Sequence, residues 1–143
     1  MGGLVKLLEV VLADYYALYL KTQNYHWNVE GPRFKELHKT FEKHYEDLAE
    51  AIDTVAELIR GLNSKTIGTF SAFMKLTSIK DGNAKLSAEK MLEDLLSDHM
   101  LMEKTLIKAL KEAQKDGDSV VESFVEDRLV VHRKNIWMMK SSL

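Results

Sequence analysis

The chain has 143 residues, of which 45% are hydrophobic and 29% charged, and its formal net charge is −2 at pH 7. This length suits one domain with a substantial core, and the slight negative charge argues against nucleic-acid binding through bulk basicity. The chain has no cysteine, so disulfides and thiolate metal sites are excluded and a metal would need histidine and carboxylate ligands. No apolar run is long enough to span a bilayer and no signal peptide opens the chain, so we expect a cytoplasmic protein without membrane contact.

The first half of the sequence predicts two long helices. Apolar residues recur at three- and four-residue steps over Leu4–Trp27, which indicates the first helix. Gly31 and the only proline, Pro32, then break the pattern. A second helix is predicted over Arg33–Arg60, with Gly61 as a usual residue just past a helix end.

The second half predicts one short helix and two long ones. Thr69–Thr77 reads as a short amphipathic helix inside a long connection. Ser87 caps a third long helix that runs to about Lys115, and the fourth covers Ser119–Ser141. Four long helices with a long crossover between the second and third predict an all-α, ferritin-like four-helix bundle with a short extra helix in that crossover.

The second long helix carries two specialised faces. At about 100° per residue, His38, Glu42, Asp53 and Glu57 fall on one strip, and His26 closes the preceding helix. All five are metal-ligand types. The neighbouring strip is apolar and should pack into the core. Its members are Leu37, Phe41, Tyr45, Leu48, Ile52, Val55 and Ile59.

One chain cannot use all of these ligands on one ion. The His38/Glu42 pair and the Asp53/Glu57 pair lie about fifteen residues apart on one helix, roughly 22 Å at 1.5 Å per residue. Two antiparallel copies of this helix would place each pair opposite the other pair of the partner chain, and the small Ala49 between them would permit a close approach. The geometry predicts an isologous twofold contact with two equivalent sites.

A metal site in the bundle centre is not expected. Such a di-iron site needs Glu-x-x-His on two helices, but Leu96 and Leu129 stand three residues before His99 and His132. These two histidines and His44 are predicted to be solvated or locally bonded groups. Five methionines are predicted to fill the core, namely Met91, Met100, Met102, Met138 and Met139.

Four segments resemble the Dps family (DNA-binding proteins from starved cells, the miniferritins). They are NYHWNVEGPRFKELH at 24–38, D-x-x-A-E at 53–57, GTFSAFMKLTSI at 68–79 and IWMMKSSL at 136–143. The likeness covers essentially the whole chain from Leu4 to Leu143. It implies a single Dps-type, ferritin-like domain over residues 1–143, assembled as a hollow homododecamer.

The resemblance also implies a site and an activity. His26 and His38 would come from one subunit and Asp53 and Glu57 from its partner, with Trp27 beside the site to pass electrons. Such a ferroxidase would oxidise two Fe(II) with hydrogen peroxide or oxygen, store ferric mineral in the cage and need no organic cofactor. His26 and Glu57 would bind the first iron, with Asp53 as ligand or bridge.

Two departures qualify the resemblance. The looser second position would use His38 and Glu42, and the family usually has aspartate where Glu42 stands. Members that compact DNA usually carry a Lys/Arg-rich tail, whereas the ends here read MGG and KSSL, so we expect DNA binding to be weak or absent.

Acidic residues near the start of the fourth long helix match the family's threefold pores. Asp118 and Asp127 stand at the matching positions, Ser123 replaces a common acid, and Glu122 and Glu126 could compensate. The alternative interpretation is an ordinary solvated helix start with favourable acidic residues.

Three functions follow as hypotheses. The first is an iron-oxidising, iron-storing miniferritin that protects against oxidative damage. The alternatives are a redox-inactive assembly that binds Zn(II) or another structural metal at the same interface, and a structural protein that compacts the nucleoid.

Overall fold

The computed structural model describes residues 2–143 as five helices joined by short and long connections. The helices are α1 Gly2–Asn28, α2 Phe34–Gly61, α3 Phe70–Leu76, α4 Ala88–Asp116 and α5 Ser119–Ser141, and these residues form no strand. α1 packs against α2 and α4, α4 packs against α5, and α3 lies on α1. The all-α class, the four-helix bundle and the short crossover helix are confirmed. No helix over residues 2–143 is both long and apolar enough to cross a membrane.

The helix ends follow the predicted signals with one exception. Ser87 Oγ accepts a hydrogen bond from the Lys90 amide at 3.2 Å, and α4 ends at Gly117, whose φ of 69° is left-handed. α2 ends at Gly61 as predicted, but Gly61 is its last helical residue rather than the residue just past the end. The left-handed residue is Asn63, with φ of 63°, a conformation that asparagine tolerates better than most side chains.

The crossover is fastened to the bundle by one buried carboxylate. Asp14, in α1, accepts hydrogen bonds from Thr77 Oγ1 at 2.7 Å, from the Ser78 amide at 2.9 Å and from Thr105 Oγ1 at 3.2 Å. Each bond to a charged acceptor contributes on the order of 1.5–3 kcal/mol. Asp14 therefore holds the end of α3 against α1 and α4.

The two faces of α2 have different surroundings. On the apolar strip five side chains are buried and two are half-buried, so the predicted core face is confirmed. The buried ones are Leu37, Phe41, Leu48, Val55 and Ile59, and the half-buried ones are Tyr45 and Ile52. On the neighbouring strip Ala49, Asp53 and Glu57 are exposed, so nothing in the same chain covers that part of the helix.

The centre of the bundle holds polar residues that the sequence analysis placed elsewhere. His99 and His132 are 1% and 0% exposed, so the prediction of solvated or locally bonded groups was wrong for both. The His132 ring lies 2.8 Å from Tyr15 Oη through Nε2 and 2.9 Å from His99 Nδ1 through Nδ1. The half-buried His44 packs edge-on against His99, with ring centroids 5.5 Å apart.

Arg128 completes this group. Its Nε donates to Tyr15 Oη at 2.8 Å, and its two terminal nitrogens donate to the carboxylate of Asp47 at 3.0 and 2.8 Å. We call Tyr15, Asp47, His99, Arg128 and His132 the core polar cluster. Burial raises the pKa of Tyr15 to about 12, while burial and the Arg128 charge lower the pKa of His132 to about 3.

The methionine prediction is confirmed in part. Met91, Met102 and Met139 are buried in the core, where a flexible thioether fills irregular gaps. Met100 and Met138 are exposed on the outer faces of α4 and α5.

The pKa of His132 predicts acid sensitivity. In the unfolded chain this histidine takes up a proton near pH 6.5, but in the fold it does so only near pH 3. Stability is therefore full above pH 6.5 and falls below it, by about 1.4 kcal/mol per pH unit for this one group. A Tyr15→Phe/His132→Leu variant should take up about one proton fewer on unfolding than wild type. We therefore expect its unfolding free energy to change less steeply with pH between pH 6.5 and 5. Urea unfolding at several pH values measures it.

Tyr15→Phe alone is the matched control, because it keeps the buried histidine and should keep the wild-type slope. An unchanged slope in the double variant would show that His132 does not titrate as the structure indicates.

Candidate metal centre

A tight hairpin brings the two site histidines together. His26 lies in the last turn of α1 and His38 in the second turn of α2. Between them the chain turns at Gly31, whose φ of 115° is strained for any side-chain-bearing residue, and Pro32 follows. Val29, 2% exposed, fixes the turn to the core.

The two histidines hold each other's backbone. His26 Nδ1 donates to the carbonyl oxygen of His38 at 2.7 Å, and His38 Nδ1 donates to the carbonyl oxygen of His26 at 2.7 Å. A carbonyl oxygen only accepts, so both Nδ1 atoms carry a hydrogen. In the uncharged rings, both Nε2 atoms therefore keep a free lone pair, which is the form in which histidine binds a metal.

Glu42 faces these lone pairs. Its Oε1 lies 3.9 Å from His26 Nε2, and one ligand atom from each of His26, His38 and Glu42 lies within 4.8 Å of the others. Two atoms that share one ion at about 2.1 Å each can be no more than about 4.2 Å apart, so the His26–Glu42 distance fits a shared cation. His26 is buried, while His38 and Glu42 are half-buried and leave access from one side.

Aromatic rings fix the orientation of both imidazoles. The His26 and His38 rings stack with centroids 3.8 Å apart and planes inclined by 13°. Phe34 stacks on the outer face of this pair against His38 at 4.9 Å, and Tyr45 meets His26 edge-on at 5.2 Å. These two aromatics were not predicted to belong to the site, although Tyr45 lies on the apolar strip beside it.

The other predicted site residues lie apart in the single chain. Asp53 and Glu57 are exposed farther along α2 and do not join the histidine cluster. Trp27 is 61% exposed and lines a groove of about 730 Å³ between α1 and α3, together with the exposed Phe70 and Met74. One chain thus brings together three of the five predicted ligands.

The predicted pore acids have mixed surroundings. Asp118 caps α5, because its Oδ1 accepts a hydrogen bond from the Val121 amide at 3.0 Å. This agrees with the alternative interpretation, in which these acids belong to an ordinary helix start. Ser123, Glu126 and Asp127 are exposed. Glu122 is half-buried.

Comparison with known proteins gives this arrangement its family. Residues 5–143 match the ferritin-like domain family. This chain belongs to the ferritin-like family. It is 32% identical to the DNA protection during starvation protein of Helicobacter pylori over 139 residues, which cover 96% of each chain.

Solved structures agree with this assignment. Dps from Staphylococcus aureus is 33% identical to this chain, and its crystal structure superposes with a TM-score of 0.95. The match covers 98% of this chain and 94% of that one. The Dps protein from Vibrio cholerae, described as a member of a broad superfamily of ferritin-like diiron-carboxylate proteins, is 30% identical with a TM-score of 0.93; the match covers 96% of this chain and 87% of that one. Within the ferritin-like family the chain is a Dps protein, and the resemblance is confirmed.

The reciprocal hydrogen bonds predict the tautomer of both site histidines. In metal-free protein with histidine ¹⁵N labels, we expect solid-state NMR to show both rings protonated at Nδ1 and unprotonated at Nε2 at pH 8. In His26→Ala, the His38 ring should keep this tautomer, because its acceptor is the backbone carbonyl of residue 26 and not the ring. A switch to Nε2–H in that variant would contradict the described hydrogen bonds.

Proposed function

We propose that this protein is an iron-oxidising and iron-storing miniferritin. Its substrate is Fe(II), its oxidant is hydrogen peroxide, and its product is ferric mineral held in a hollow dodecameric cage. The observation that carries the proposal is the cluster of His26, His38 and Glu42, in which both Nε2 lone pairs are free and that of His26 lies 3.9 Å from the carboxylate. The diiron-carboxylate description of the Vibrio cholerae Dps protein supports iron as the metal.

The donor set suits Fe(II). Imidazole and carboxylate ligands bind iron without preventing its change of oxidation state, whereas thiolates would favour other metals. Three ligands from one chain leave positions open for further carboxylates and for peroxide. Tyr45 packs against the His26 ring, and Phe34, itself 38% exposed, covers the outer face of the His38 ring.

The partner subunit supplies the remaining ligands. The exposed strip of α2, with Asp53 and Glu57 at one end and the small Ala49 at its middle, has no covering in its own chain. An antiparallel twofold contact brings the partner subunit's Asp53 and the partner subunit's Glu57 to the histidine cluster.

The reaction balances with two iron ions. Two Fe(II) and one hydrogen peroxide, with two protons, give two Fe(III) and two molecules of water. Because both electrons reach the peroxide together, no hydroxyl radical is released. In this proposal His26 and the partner's Glu57 bind the first iron, the partner's Asp53 binds or bridges, and His38 and Glu42 bind the second iron more loosely.

Loss of the two half-sites should remove fast oxidation. With two Fe(II) per site, the wild-type protein should oxidise iron faster with peroxide than with air. The His26→Ala/Asp53→Ala variant should lose the fast phase. We expect the rate of Fe(II) oxidation to fall about 100-fold or more, because a ligand is removed from each half of the site. Stopped-flow absorbance of ferric iron measures the rate.

Glu89→Ala is the control, because this exposed acid lies at the start of α4 and is not one of the five predicted ligands. Wild-type kinetics in the double variant would refute the site. Metal binding without any peroxide consumption would favour the redox-inactive Zn(II) assembly instead.

Mixed cages test whether each site is shared. Chains with His26→Ala/His38→Ala and chains with Asp53→Ala/Glu57→Ala should each be inactive as homogeneous cages. A twofold dimer of one chain of each kind has one site with both halves intact, so co-assembled cages should recover part of the activity. Sites built within one chain would show no recovery, and that result in verified mixed cages would end the shared-site proposal.

A further inference from the structure

The core polar cluster contains a hydrogen-bond chain with a fixed direction. Arg128 Nε–H donates to Tyr15 Oη, which leaves the phenol hydrogen free to donate to His132 Nε2 at 2.8 Å. The hydrogen of the neutral His132 ring is then on Nδ1 and donates to His99 Nδ1 at 2.9 Å. His99 therefore carries its own hydrogen on Nε2, a buried atom with no hydrogen-bond partner among residues 2–143.

This chain is suited to removing a proton from Tyr15. A phenol gives up an electron readily only when its proton leaves at the same moment, because the protonated phenol radical is a very strong acid. Tyr15 is fully buried and donates to an imidazole that is uncharged in the folded protein, so the proton acceptor is already in place. His99 can take the Nδ1 hydrogen of His132 in turn.

A series of ring contacts leads from the metal centre toward this phenol and ends at Tyr16. The His26 ring meets Tyr45 at 5.2 Å, Tyr45 meets Tyr19 at 5.9 Å, and Tyr19 meets Tyr16 at 5.9 Å. Tyr16 is the residue next to Tyr15 in α1. Phenols in contact allow an electron to move in short steps rather than one long one, and electron-transfer rates fall steeply with step length.

We propose that Tyr15 is a one-electron donor to the iron–peroxide reaction, with His132 as its proton acceptor and Tyr16, Tyr19 and Tyr45 as the path to the site. The proposal rests on the proposed function. It applies when a site holds one Fe(II), because peroxide takes two electrons and a single iron supplies only one.

The step balances as follows. One Fe(II), one hydrogen peroxide, two protons from solvent and the Tyr15–His132 pair give one Fe(III), two molecules of water, a neutral Tyr15 radical and a protonated His132. The O–O bond of peroxide breaks, Fe(II) and Tyr15 are each oxidised by one electron, and the phenol proton crosses to His132 Nε2. Without the tyrosine, peroxide would receive only the one electron of the single Fe(II), and this one-electron reduction would release a hydroxyl radical.

Tyr25 offers a matched comparison. It is also fully buried, and its hydroxyl donates to a carboxylate oxygen of Asp94 at 2.5 Å. Tyr25 directly precedes His26 in the chain but takes no part in the series of ring contacts that runs from His26 to Tyr16. If burial, a proton acceptor and closeness to the site were sufficient, Tyr25 would serve as well as Tyr15, so the two phenols test whether the ring contacts and the imidazole acceptor matter.

Freeze-quench electron paramagnetic resonance tests the proposal. Protein loaded anaerobically with one Fe(II) per site receives one equivalent of hydrogen peroxide. We expect a tyrosyl radical signal in wild type and in Tyr25→Phe, and its loss in Tyr15→Phe. Ring-deuterated tyrosine should narrow the signal. A radical that survives Tyr15→Phe, or that disappears in Trp27→Phe or Tyr25→Phe, would assign the donor to another residue and overturn the proposal.

Two further variants leave the Tyr15 side chain in place. His132→Gln keeps a hydrogen-bond acceptor but offers no base, so the radical should form about 100-fold more slowly, the lower end of what a positioned base contributes. Tyr19→Phe interrupts the path without touching the core polar cluster and should also slow radical formation. Wild-type rates in both variants would refute the assigned roles.

Parallel stopped-flow runs with two Fe(II) per site separate the two proposals. If wild type oxidises iron rapidly with peroxide but forms no radical that depends on Tyr15, only the tyrosine proposal fails. If wild type does not oxidise Fe(II) with peroxide at all, the proposed function fails and the tyrosine proposal fails with it.

Discussion

Two hydrogen bonds between side chain and backbone, one in each direction between His26 and His38, connect the fold of this protein to its chemistry. His26 lies in the last turn of α1, where backbone carbonyls have no helical partner, and the His38 ring satisfies one of them. The same bonds close the hairpin between α1 and α2. They also decide which nitrogen of each ring is free. The interactions that stabilise the hairpin therefore also leave both Nε2 lone pairs free in a cluster that includes Glu42.

The bundle carries two polar groups with opposite surroundings. The histidine cluster opens on one side and has an incomplete set of ligands, as a site for an entering ion requires. The core polar cluster is buried except at Asp47, whose side chain is 38% exposed, and the Arg128–Asp47 pair is bidentate. Burying such groups costs several kcal/mol per ion unless hydrogen bonds compensate. Nearly every polar atom there is satisfied, with the exception of His99 Nε2 and the neighbouring His44 Nδ1.

The sequence predicted the helices and the two faces of α2 because these depend on local periodicity. The long-range hydrogen bonds could not be found in this way. His99 and His132 are 33 residues apart, on different helices, and no spacing rule joins them to Tyr15, 117 residues from His132. One signal was present, since His99 shares the apolar face of α4 with Leu95 and Met102. A histidine on that face needed a buried partner, and the structure supplies one.

The position of the predicted ligands on α2 is the reason why the proposed function belongs to an assembly rather than to the single chain. A straight helix keeps Asp53 about fifteen residues from His38, and no rotamer change can span roughly 22 Å. The proposed five-ligand site thus requires two chains, whereas the proposed electron path from Tyr15 lies entirely within one. In the proposed assembly, the subunit that provides the histidines of a site also provides its electron donor. A proposed site that has lost its second iron would therefore still have a second electron within reach.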